Sequence, residues 1–500
     1  MNGSLLNLID AFPGIRVLVV GEALLDSYLS GPTERLCREA PVPVVTVTGR
    51  RHQPGGAANT AVNLRALGSR VDFLSVTGDD AEGRLLRRAL EDQGVSTKIL
   101  LADAERSTLA KQRVLADDQM VVRFDQGSIH PLSARTEGEM IRRLEEVFLE
   151  VDAVLVSDYN YGLVTQGIIQ SLTMLQKRQP RIMVIDSKRL EAFAGLNMTA
   201  AKPNYSEALR LLGLDRAARQ KIGGEERVAL ISQWGGRLLK LIGARIVAVT
   251  LDHDGALIFE GDEVPYRTYA RRTRNSRAAG AGDTFAAALT LSLASGAHTE
   301  NAAEIASAAA SVVVSREGTS ICHAAELRNH FTAGEKFFTT VSQLDPQLAA
   351  YRRQNRRIVF TNGCFDILHR GHIAYLNRAK ANGDLLIIGL NSDDSVSRLK
   401  GPSRPINSLE DRAQVLAALS CIDHIVAFDE DTAHDLIRHI RPDVFVKGGD
   451  YSLETLPEAP LVQELGGKVL ILPYMFDHST TNLIERIRCL DSPTAKQTIN

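Results

Sequence analysis

Short apolar runs that end in polar or glycine residues recur along the first two thirds of the chain. Four of them read IRVLVVGEALLD, VDAVLVSDY, RIMVIDSK and ARIVAVTLDHDG. The stretches between them carry apolar residues at helical spacing, so strands alternate with helices. This alternation predicts an α/β domain with a mostly parallel sheet flanked by helices.

Charged residues follow several of these predicted strands. Asp26, Asp158, Lys188 and Asp252 each come after an apolar run. Ligands of open parallel sheets bind beyond the carboxyl ends of the strands, so these side chains are candidates for a binding site. Taken singly, each of them is also consistent with a solvated loop charge.

The alternation restarts in the last third of the chain. After the alanine-rich helical stretch NAAEIASAAASVVVSREGT, residues 321–357 become mixed and charged. New predicted strands then follow, in the segments RRIVFTNG, GDLLIIGLNSD, CIDHIVAF, PDVFVKGGD and GKVLILP. We therefore expect a first domain over 1–330, a linker over 331–355 and a second, smaller α/β domain over 356–500.

Composition and charge limit the classes of partner. The 500 residues carry 58 basic and 60 acidic side chains, and a net charge of -2 gives no electrostatic reason to expect nucleic acid or an anionic membrane. The five scattered cysteines form no CxxC pair, which counts against a zinc site or a redox dithiol and favours a reducing cytoplasm. With no targeting pattern and no apolar run long enough to span a membrane, we expect a cytoplasmic protein.

The segment TNGCFDILHRGHIAY places two histidines, His369 and His372, at the start of a predicted helix. A helix N-terminus offers free N–H groups and a positive dipole end, so a phosphate is the natural ligand there. Histidines at this spacing can also share a metal, but Cys364 and Asp366 stand in no recognised zinc spacing. A purely structural pair is the remaining alternative.

Together with LKGPSRPINSLEDRAQVL, KGGDY and HSTTNLIERI, this segment resembles the cytidylyltransferase-like superfamily over roughly 358–488. The HxGH signature of that superfamily stands here as His369 to His372. The resemblance implies that both histidines act in catalysis by holding a nucleotide triphosphate while a sugar or alcohol phosphate attacks its α-phosphorus. It assigns nucleotide and phosphate contacts to Gly363, Phe365, Asp366, Lys400, Arg412, Gly449, Asp450, Ser479, Thr480 and Thr481.

A second phosphate-handling pattern lies at NSRAAGAGDTFAAALTLSLA in the first domain. Small residues at Gly280, Ala281 and Gly282 allow backbone N–H groups to converge on an oxyanion at the helix start. The carboxylate of Asp283 can take a proton from an attacking hydroxyl. Alone, this pattern is also consistent with a simple tight turn.

With PGGAANTAVNLRALG, KPNYSEA and AAASVVVSREGT, the pattern resembles the ribokinase-like (PfkB) sugar kinases over about 15–319. The resemblance implies a three-layer domain with a small β lid and makes Asp283 the general base. It implies ATP contacts at Asn204, Tyr205, Ser206, Glu207, Gly255, Gly280, Ala281 and Gly282, and sugar contacts at Asp26, Gly55, Gly56 and Asn59. Arg277 stands where the family carries an Asp that supports a monovalent cation, so a need for that cation is doubtful, and Arg277 either replaces its charge or weakens the kinase.

The pairing of the two domains resembles the bifunctional heptose-phosphate kinases and adenylyltransferases of Gram-negative bacteria. It implies phosphorylation of D-glycero-β-D-manno-heptose 7-phosphate at O1 and, after a separate phosphatase has acted, adenylyl transfer from ATP to heptose 1-phosphate. ATP and Mg²⁺ are expected in both sites, with no metal site made by the protein alone. The alternative is a nucleotidyltransferase for another sugar or polyol phosphate on a silent kinase scaffold.

The segment CREAPVPVVTVTGRRHQPGG could form the lid. Its alternating apolar and polar residues suit an exposed sheet that needs a partner face, which predicts a homodimer through the kinase lid. A lid that covers only its own active site is the other interpretation.

Overall fold

The computed structural model describes residues 2–116, 119–214, 223–261, 263–270, 278–314, 318–331, 336–449 and 452–472. The chain divides into two compact units, of which the first spans Leu5–His330 and the second begins at Phe331. The predicted α/β class is confirmed in both units, because each contains a mainly parallel sheet with helices between successive strands.

The main sheet of the first unit has nine strands in the described residues, in the order β15-β14-β13-β12-β11-β10-β1-β6-β7. Pairing is parallel from β13 to β7 and antiparallel only where β14 and β15 join at one edge. The strands, numbered in chain order, are β1 (Arg16–Gly21), β6 (Arg70–Gly78), β7 (Leu100–Asp103), β10 (Ala153–Asp158), β11 (Ile182–Ser187), β12 (Met198–Ala201), β13 (Ala244–Thr250), β14 (Ala256–Glu260) and β15 (Tyr266–Thr268).

Helices cover both faces of this sheet, which explains why its central strands are apolar on both sides. Those in the described part of the unit are α1 (Asn2–Ala11), α2 (Ala57–Ala66), α3 (Ala81–Asp92), α4 (Ala134–Phe148), α5 (Gln166–Arg178), α6 (Tyr205–Leu211), α7 (Gly224–Ser232), α8 (Gly235–Ile242), α9 (Ala281–Ala294), α10 (Thr299–Val314) and α11 (Ala324–His330). Short 3-10 helices occupy Phe12–Gly14, Leu190–Phe193 and Asp252–Asp254. The central helix α9 is buried from Asp283 to Leu293 and packs on α2, α10, β10 and β11.

A second, four-stranded sheet forms the lid, in the order β5-β2-β8-β9. Its strands are β2 (Ala23–Gly31), β5 (Gly49–Gly56), β8 (Leu109–Ala116) and β9 (Gln119–Gln126), and a hairpin of β3 (Thr33–Leu36) and β4 (Pro43–Val45) extends from β2. The strand β2 follows β1 after a single residue, so the lid lies at the carboxyl edge of the main sheet. Two further short strands, β16 (Ala278–Ala279) and β17 (Gly318–Thr319), pair with each other.

The second unit contains a parallel sheet in the order β18-β21-β20-β19-β22-β23. Its strands are β18 (Phe337–Phe338), β19 (Ile358–Gly363), β20 (Leu385–Asn391), β21 (His424–Phe428), β22 (Val444–Gly448) and β23 (Lys468–Leu472). The helices described with it are α12 (Asp345–Arg353), α13 (Arg370–Lys380), α14 (Asp393–Lys400), α15 (Leu409–Ala417), α16 (His434–Ile440) and α17 (Ala459–Glu464), with a 3-10 helix at Val341–Leu344.

The predicted linker over 331–355 needs correction. Its described part includes β18, the 3-10 helix and α12, which belong to the second unit. Leu344 and Leu348 are buried there with Ile358 and Phe360 of β19. The nine-residue helix α12 is too short for its apolar residues to show a clear helical period in the sequence. Burial of Leu344 and Leu348 contributes the free energy that orders the segment.

Across the described ranges, no helix combines the length and the apolar character that a membrane crossing requires.

Candidate functional sites

The carboxylate of Asp283 lies in the first turn of α9, in the position predicted for a general base. Asn59 Nδ2 on α2 donates to Asp283 Oδ2 over 2.7 Å, and the Tyr159 hydroxyl after β10 donates to Asp283 Oδ1 over 2.9 Å. The preceding Gly280 has φ 95°, and a Cβ there would come within 2.6 Å of Asn59 Nδ2. Only glycine therefore allows the helix to begin so close to α2.

Burial raises the pKa of Asp283, while the two hydrogen bonds and the charge of Lys202 act in the opposite direction. A raised pKa makes the carboxylate a stronger base than an exposed aspartate. The two donors hold it in one orientation, with its remaining lone pairs available to a substrate hydroxyl.

A buried cation lies below the start of α9. Lys202 Nζ is 3.0 Å from Asp186 Oδ2 and 3.4 Å from the position that a Cβ on Gly282 would take. The Asp186 carboxylate outweighs the effect of burial and raises the pKa of Lys202, so the ammonium group stays charged. Lys202 was not among the predicted site residues, although it is the first residue of the KPNYSEA motif.

The predicted sugar-binding residues come together beside the base. Asp26 on β2 accepts a hydrogen bond from Arg113 of β8 over 2.7 Å. The backbone of Gly55 lies close to Asp26, since a Cβ on Gly55 would be 2.4 Å from Asp26 Oδ2. Gly56 ends β5 and Asn59 follows in α2, so three of the four predicted contacts come from one strand-to-helix turn.

Glu22 orients the loop that carries Tyr159. Its buried carboxyl group accepts backbone N–H bonds from Tyr159, Tyr161 and Leu163 at 2.8, 3.1 and 3.4 Å. Burial and the charge of Asp158 raise the pKa of Glu22 to about 7. Neither Glu22 nor Tyr159 was among the predicted site residues, because their contacts join the end of β1 to the end of β10, which are distant in sequence.

Of the residues predicted to contact ATP, Gly280, Ala281 and Gly282 lie at the start of α9, and the other five lie at the start of α6 and directly before β14. Asn204 caps α6: its Oδ1 accepts the Glu207 N–H, and Glu207 Oε2 accepts the Asn204 N–H, both over 2.9 Å. Tyr205 and Ser206 occupy the first turn, and Gly255 lies between a 3-10 helix and β14 with φ 90°. Each of the two side chains thus accepts the backbone N–H of the other residue in this structure, as in a capping box.

In the second unit, His369 is the N-cap of α13 and His372 lies in its first turn. Their ring centroids are 4.0 Å apart, and Phe365, which has φ 45°, contacts His372 edge to face at 5.7 Å. Burial, with smaller effects from the charges of His369 and Lys400, lowers the pKa of His372 to about 3. At neutral pH His372 is therefore an uncharged hydrogen-bond donor rather than a cation.

Positive charge near this pair comes from lysines. Lys400 ends α14 and acts electrostatically on His372 and Cys364. Lys447 on β22 donates to Asn362 Oδ1 of β19 over 2.7 Å, and burial lowers the pKa of Lys447. Gly363 ends β19 and Gly449 directly follows β22, at the same edge of the sheet.

Two predicted phosphate-binding residues have other partners in the structure. Arg412 is buried and donates to the carbonyls of Asn407 and Cys364 and to Asp393 Oδ1. Asp366 accepts Arg404 Nη1 at 2.5 Å and the N–H groups of Ile406 and Asn407. Both side chains hold the loop before α15 against the HxGH turn in this structure.

Several predicted residues lie outside the described part of the chain, namely Arg277, Asp450, Ser479, Thr480 and Thr481. Among the described residues, no cluster of three or more His, Cys, Asp or Glu side chains could hold a metal ion.

The two units and their sites define a sugar kinase joined to a nucleotidyltransferase. The pfkB family carbohydrate kinases match residues 15–326, and the cytidylyltransferase-like family matches residues 360–486. Among solved structures, phosphofructokinase-2 from Escherichia coli in complex with potassium has a TM-score of 0.50 at 22% identity, covering 63% of this chain and 97% of that one. Ribokinase from Cryptococcus neoformans in complex with ADP has the same TM-score at 21% identity, covering 63% and 99%. These likenesses confirm the ribokinase-like fold of the first unit.

Relatives that span both units are more specific. The bifunctional protein HldE of Syntrophotalea carbinolica is 40% identical over 96% of this chain and 97% of its own length. HldE of Geobacter sulfurreducens is 38% identical over 95% and 96%. The chain belongs to the pfkB carbohydrate kinases and, over its whole matched length, to the HldE family of bifunctional proteins.

Proposed function

We infer that the protein is a bifunctional enzyme that makes and activates a heptose phosphate. The first unit transfers the γ-phosphoryl group of ATP to O1 of D-glycero-β-D-manno-heptose 7-phosphate. The second unit transfers AMP from ATP to heptose 1-phosphate and releases pyrophosphate. The full-length match to HldE proteins supports this pair of activities over a silent kinase scaffold.

The observation that carries the kinase activity is the buried Asp283 carboxylate with its two donors, Asn59 and Tyr159. The sugar hydroxyl gives its proton to Asp283 as its oxygen bonds to the γ-phosphorus and the bond to the ADP oxygen breaks. The N–H groups at the start of α9 and the ammonium group of Lys202 stabilise the negative charge on the transferred phosphoryl group. Asp26 and the Gly55–Gly56 turn would position the sugar.

In the second unit, we propose that the sugar phosphate oxygen attacks the α-phosphorus of ATP and pyrophosphate leaves. The neutral His372 donates one hydrogen bond to the phosphates, together with His369 at the same helix start. Lys400 and Lys447 supply the positive charge. The phosphate nucleophile is already ionised, so this reaction needs little help from a base.

Magnesium would enter both sites with ATP. We propose an ion held mainly by phosphate oxygens and water, as is usual for magnesium bound with a nucleotide. Bound in this way, the ion would neutralise charge on the β- and γ-phosphates. Glu207, whose charge acts on Lys202, is the carboxylate we propose to face it in the kinase unit, after release from its capping bond.

The decisive test measures ADP release from MgATP and heptose 7-phosphate by the wild-type protein and Asp283→Asn. We expect the variant to lose about a hundredfold to ten-thousandfold in kcat. Pyrophosphate release from ATP and heptose 1-phosphate should be unchanged in the same preparation. Wild-type protein that releases pyrophosphate but no ADP would instead establish a transferase on a silent kinase scaffold. Running the ADP assay with and without potassium tests whether Arg277 replaces a cation.

We further propose that the protein is a cytoplasmic homodimer that pairs through the lid. Every residue of the edge strand β9 is exposed, and Met120, Val122 and Phe124 are 62%, 47% and 44% exposed. An edge strand with exposed apolar side chains favours pairing with another chain. Phe124→Glu should halve the mass measured by light scattering, and Met174→Glu, at an exposed apolar site on α5, should not.

The proposed substrates also imply a functional partner. The kinase product carries two phosphates, whereas the transferase uses a sugar with a single phosphate on C1. A separate phosphatase that removes the 7-phosphate must therefore act between the two reactions.

A further inference from the structure

An arginine on α7 contacts both of the segments outside α9 that are predicted to bind ATP in the kinase unit. Arg227 Nη2 donates to Asp252 Oδ2 over 3.0 Å, and Arg227 Nη1 donates to Asp254 Oδ2 over 3.2 Å. These aspartates are the two ends of the 3-10 helix directly before Gly255. The guanidinium carbon of Arg227 also lies 4.4 Å from the ring centroid of Tyr205, the first residue of α6. One side chain therefore links the turn before Gly255 to the start of α6.

The turn that Arg227 contacts has an unusual backbone. Asp252 has φ 55°, in the left-handed region that residues other than glycine rarely adopt, and Gly255 has φ 90°. A Cβ on Gly255 would come within 2.1 Å of the Thr268 carbonyl oxygen on β15. A backbone of this kind persists only where the surrounding contacts hold it, and the two hydrogen bonds from Arg227 are contacts of this kind.

The start of α7 places Arg227 against this turn. A Cβ on Gly224 would lie 2.4 Å from Asp254 Oδ1, so the helix begins in direct contact with the aspartate. The side chains of Arg227 and Asp254 are only 12% and 6% exposed, whereas that of Asp252 is 74% exposed. The bond to Asp254 is thus shielded from water and is the stronger of the two.

The backbone already brings the two predicted ATP-binding segments side by side. The Thr250 N–H donates to the Pro203 carbonyl oxygen over 3.0 Å, directly before both segments begin. Arg227 then contacts the residues that follow on each side. A guanidinium group suits this place because its planar fork can donate to two carboxylates while its face lies over an aromatic ring.

We propose that Arg227 is a positioning residue for ATP in the kinase unit, which holds the turn before Gly255 and the start of α6 in the arrangement that receives the nucleotide. This inference rests on the proposed kinase function and on the ATP contacts predicted for Tyr205 and Gly255. Arg227 acts through these neighbours and does not itself touch the nucleotide.

The test compares the kinase kinetics of wild type, Arg227→Met and Arg227→Lys. In Arg227→Met, KM for ATP should rise about tenfold, because apparent affinity falls with the fraction of molecules in the binding arrangement. KM for heptose 7-phosphate should stay within twofold of wild type. Arg227→Lys should show a smaller rise in KM for ATP, since lysine keeps the charge but lacks the fork that reaches both aspartates.

The matched control is Arg237→Met. Arg237 is an exposed arginine on α8 that also lies over an aromatic ring, 5.4 Å from the centroid of Trp234, and its replacement should leave both KM values unchanged. A variant of Arg227 that is only less stable would lose kcat with KM for ATP unchanged, and that result would overturn the positioning role. Equal rises in KM for ATP and for heptose 7-phosphate would overturn it as well. Should Arg227→Met not fold, Arg227→Lys carries the same comparison.

Calorimetric binding of ADP separates failure of this inference from failure of the proposed function. The full-length chain carries His369→Asn/His372→Asn in this measurement, to weaken nucleotide binding by the second unit. Weaker ADP binding after Arg227→Met supports the positioning role even if wild-type protein phosphorylates no heptose 7-phosphate, and that outcome would overturn only the kinase assignment. Unchanged ADP binding with unchanged KM for ATP would overturn the positioning role and leave the kinase in place. A chain that neither binds ADP nor phosphorylates the sugar would overturn both.

Discussion

At the scale of single residues, we expect the kinase site to depend on the hydrogen bond from Tyr159 to Asp283. Removing the hydroxyl in Tyr159→Phe takes a donor from the charged form of the carboxylate, so the pKa of Asp283 should rise further. We expect kcat to fall about tenfold, in line with loss of one hydrogen bond to a charged group. The acid limb of the kcat–pH profile should move to higher pH.

Steady-state kinetics between pH 5 and pH 9 measure both effects, with Tyr161→Phe as the control. Tyr161 stacks beside Tyr159 with ring centroids 6.3 Å apart, so this control tests general disturbance of the loop. An acid limb at the same pH in wild type and Tyr159→Phe would show that the bond does not tune the base.

His372 makes the second unit sensitive to acid. Its pKa is about 3 in the folded chain and about 6.5 in an unfolded one, so unfolded protein takes up a proton as the pH falls below 6.5. The stability that the neutral side chain contributes is therefore present above that pH and is lost as the pH falls toward 3. Between pH 7 and pH 5 this loss should be about 2 kcal/mol in the free energy of unfolding.

The measurement is urea denaturation read by pulsed hydrogen exchange in peptides from α13 and β20, compared between wild type and His372→Asn. The variant should begin less stable because Asn fills the buried site poorly, but its stability should change less with pH. An equal loss from pH 7 to pH 5 in both proteins would contradict the low pKa.

The sequence alone predicted those candidate site residues that belong to motifs of neighbouring residues. The HxGH pair and the GAGD turn both lie at helix starts as expected, because a strand, a glycine and a helix specify that geometry locally. Asn59 meets Asp283 across 224 positions of sequence, and only the packing of α2 on α9 brings them together. Glu22, Tyr159 and Lys202 were missed for the same reason, since their roles arise from pairing of strands distant in sequence.

At the scale of elements, the first turn of α6 matches both a kinase motif and a helix-capping motif. Asn204 and Glu207 match the kinase motif, but an Asn three residues before a Glu is also the signature of a capping box, and each side chain accepts the backbone N–H of the other residue. Similarly, the arginine and aspartate expected at the transferase phosphates bond neighbouring loops. Residue type and spacing predicted that these positions matter, but not which partner the side chain has without substrate.

Asn204→Ala should therefore affect both folding and ATP binding. Loss of the cap should cost about 0.5–2 kcal/mol in the free energy of unfolding. KM for ATP in the kinase reaction should rise as well, because the same turn is proposed to face the nucleotide. The control is Ser133→Ala, which removes the cap of α4 on the Thr136 N–H. This control should lose similar stability in thermal denaturation, with KM for ATP unchanged. Equal KM values for ATP in the two variants would show that Asn204 acts only as a helix cap.

At the scale of the whole molecule, the chemistry of the two reactions limits what their fusion can achieve. The kinase product carries a phosphate that the proposed transferase substrate lacks, so under the proposed function the intermediate would leave the chain for the proposed phosphatase. Direct transfer between the two units would therefore bring no advantage. A mixture of two variants, each with one active unit, should then form ADP-heptose as fast as the wild-type chain.

The experiment mixes Asp283→Asn with the double variant His369→Asn/His372→Asn and supplies MgATP, heptose 7-phosphate and a heptose bisphosphate phosphatase. ADP-heptose should form at the wild-type rate for the same concentration of each active unit, after the same lag. Without the phosphatase, both the mixture and the wild type should release ADP but no pyrophosphate. A mixture that lags well behind the wild-type chain while the phosphatase is in excess would mean that the fusion passes intermediates after all, and that the phosphatase acts on sugar held close to the enzyme.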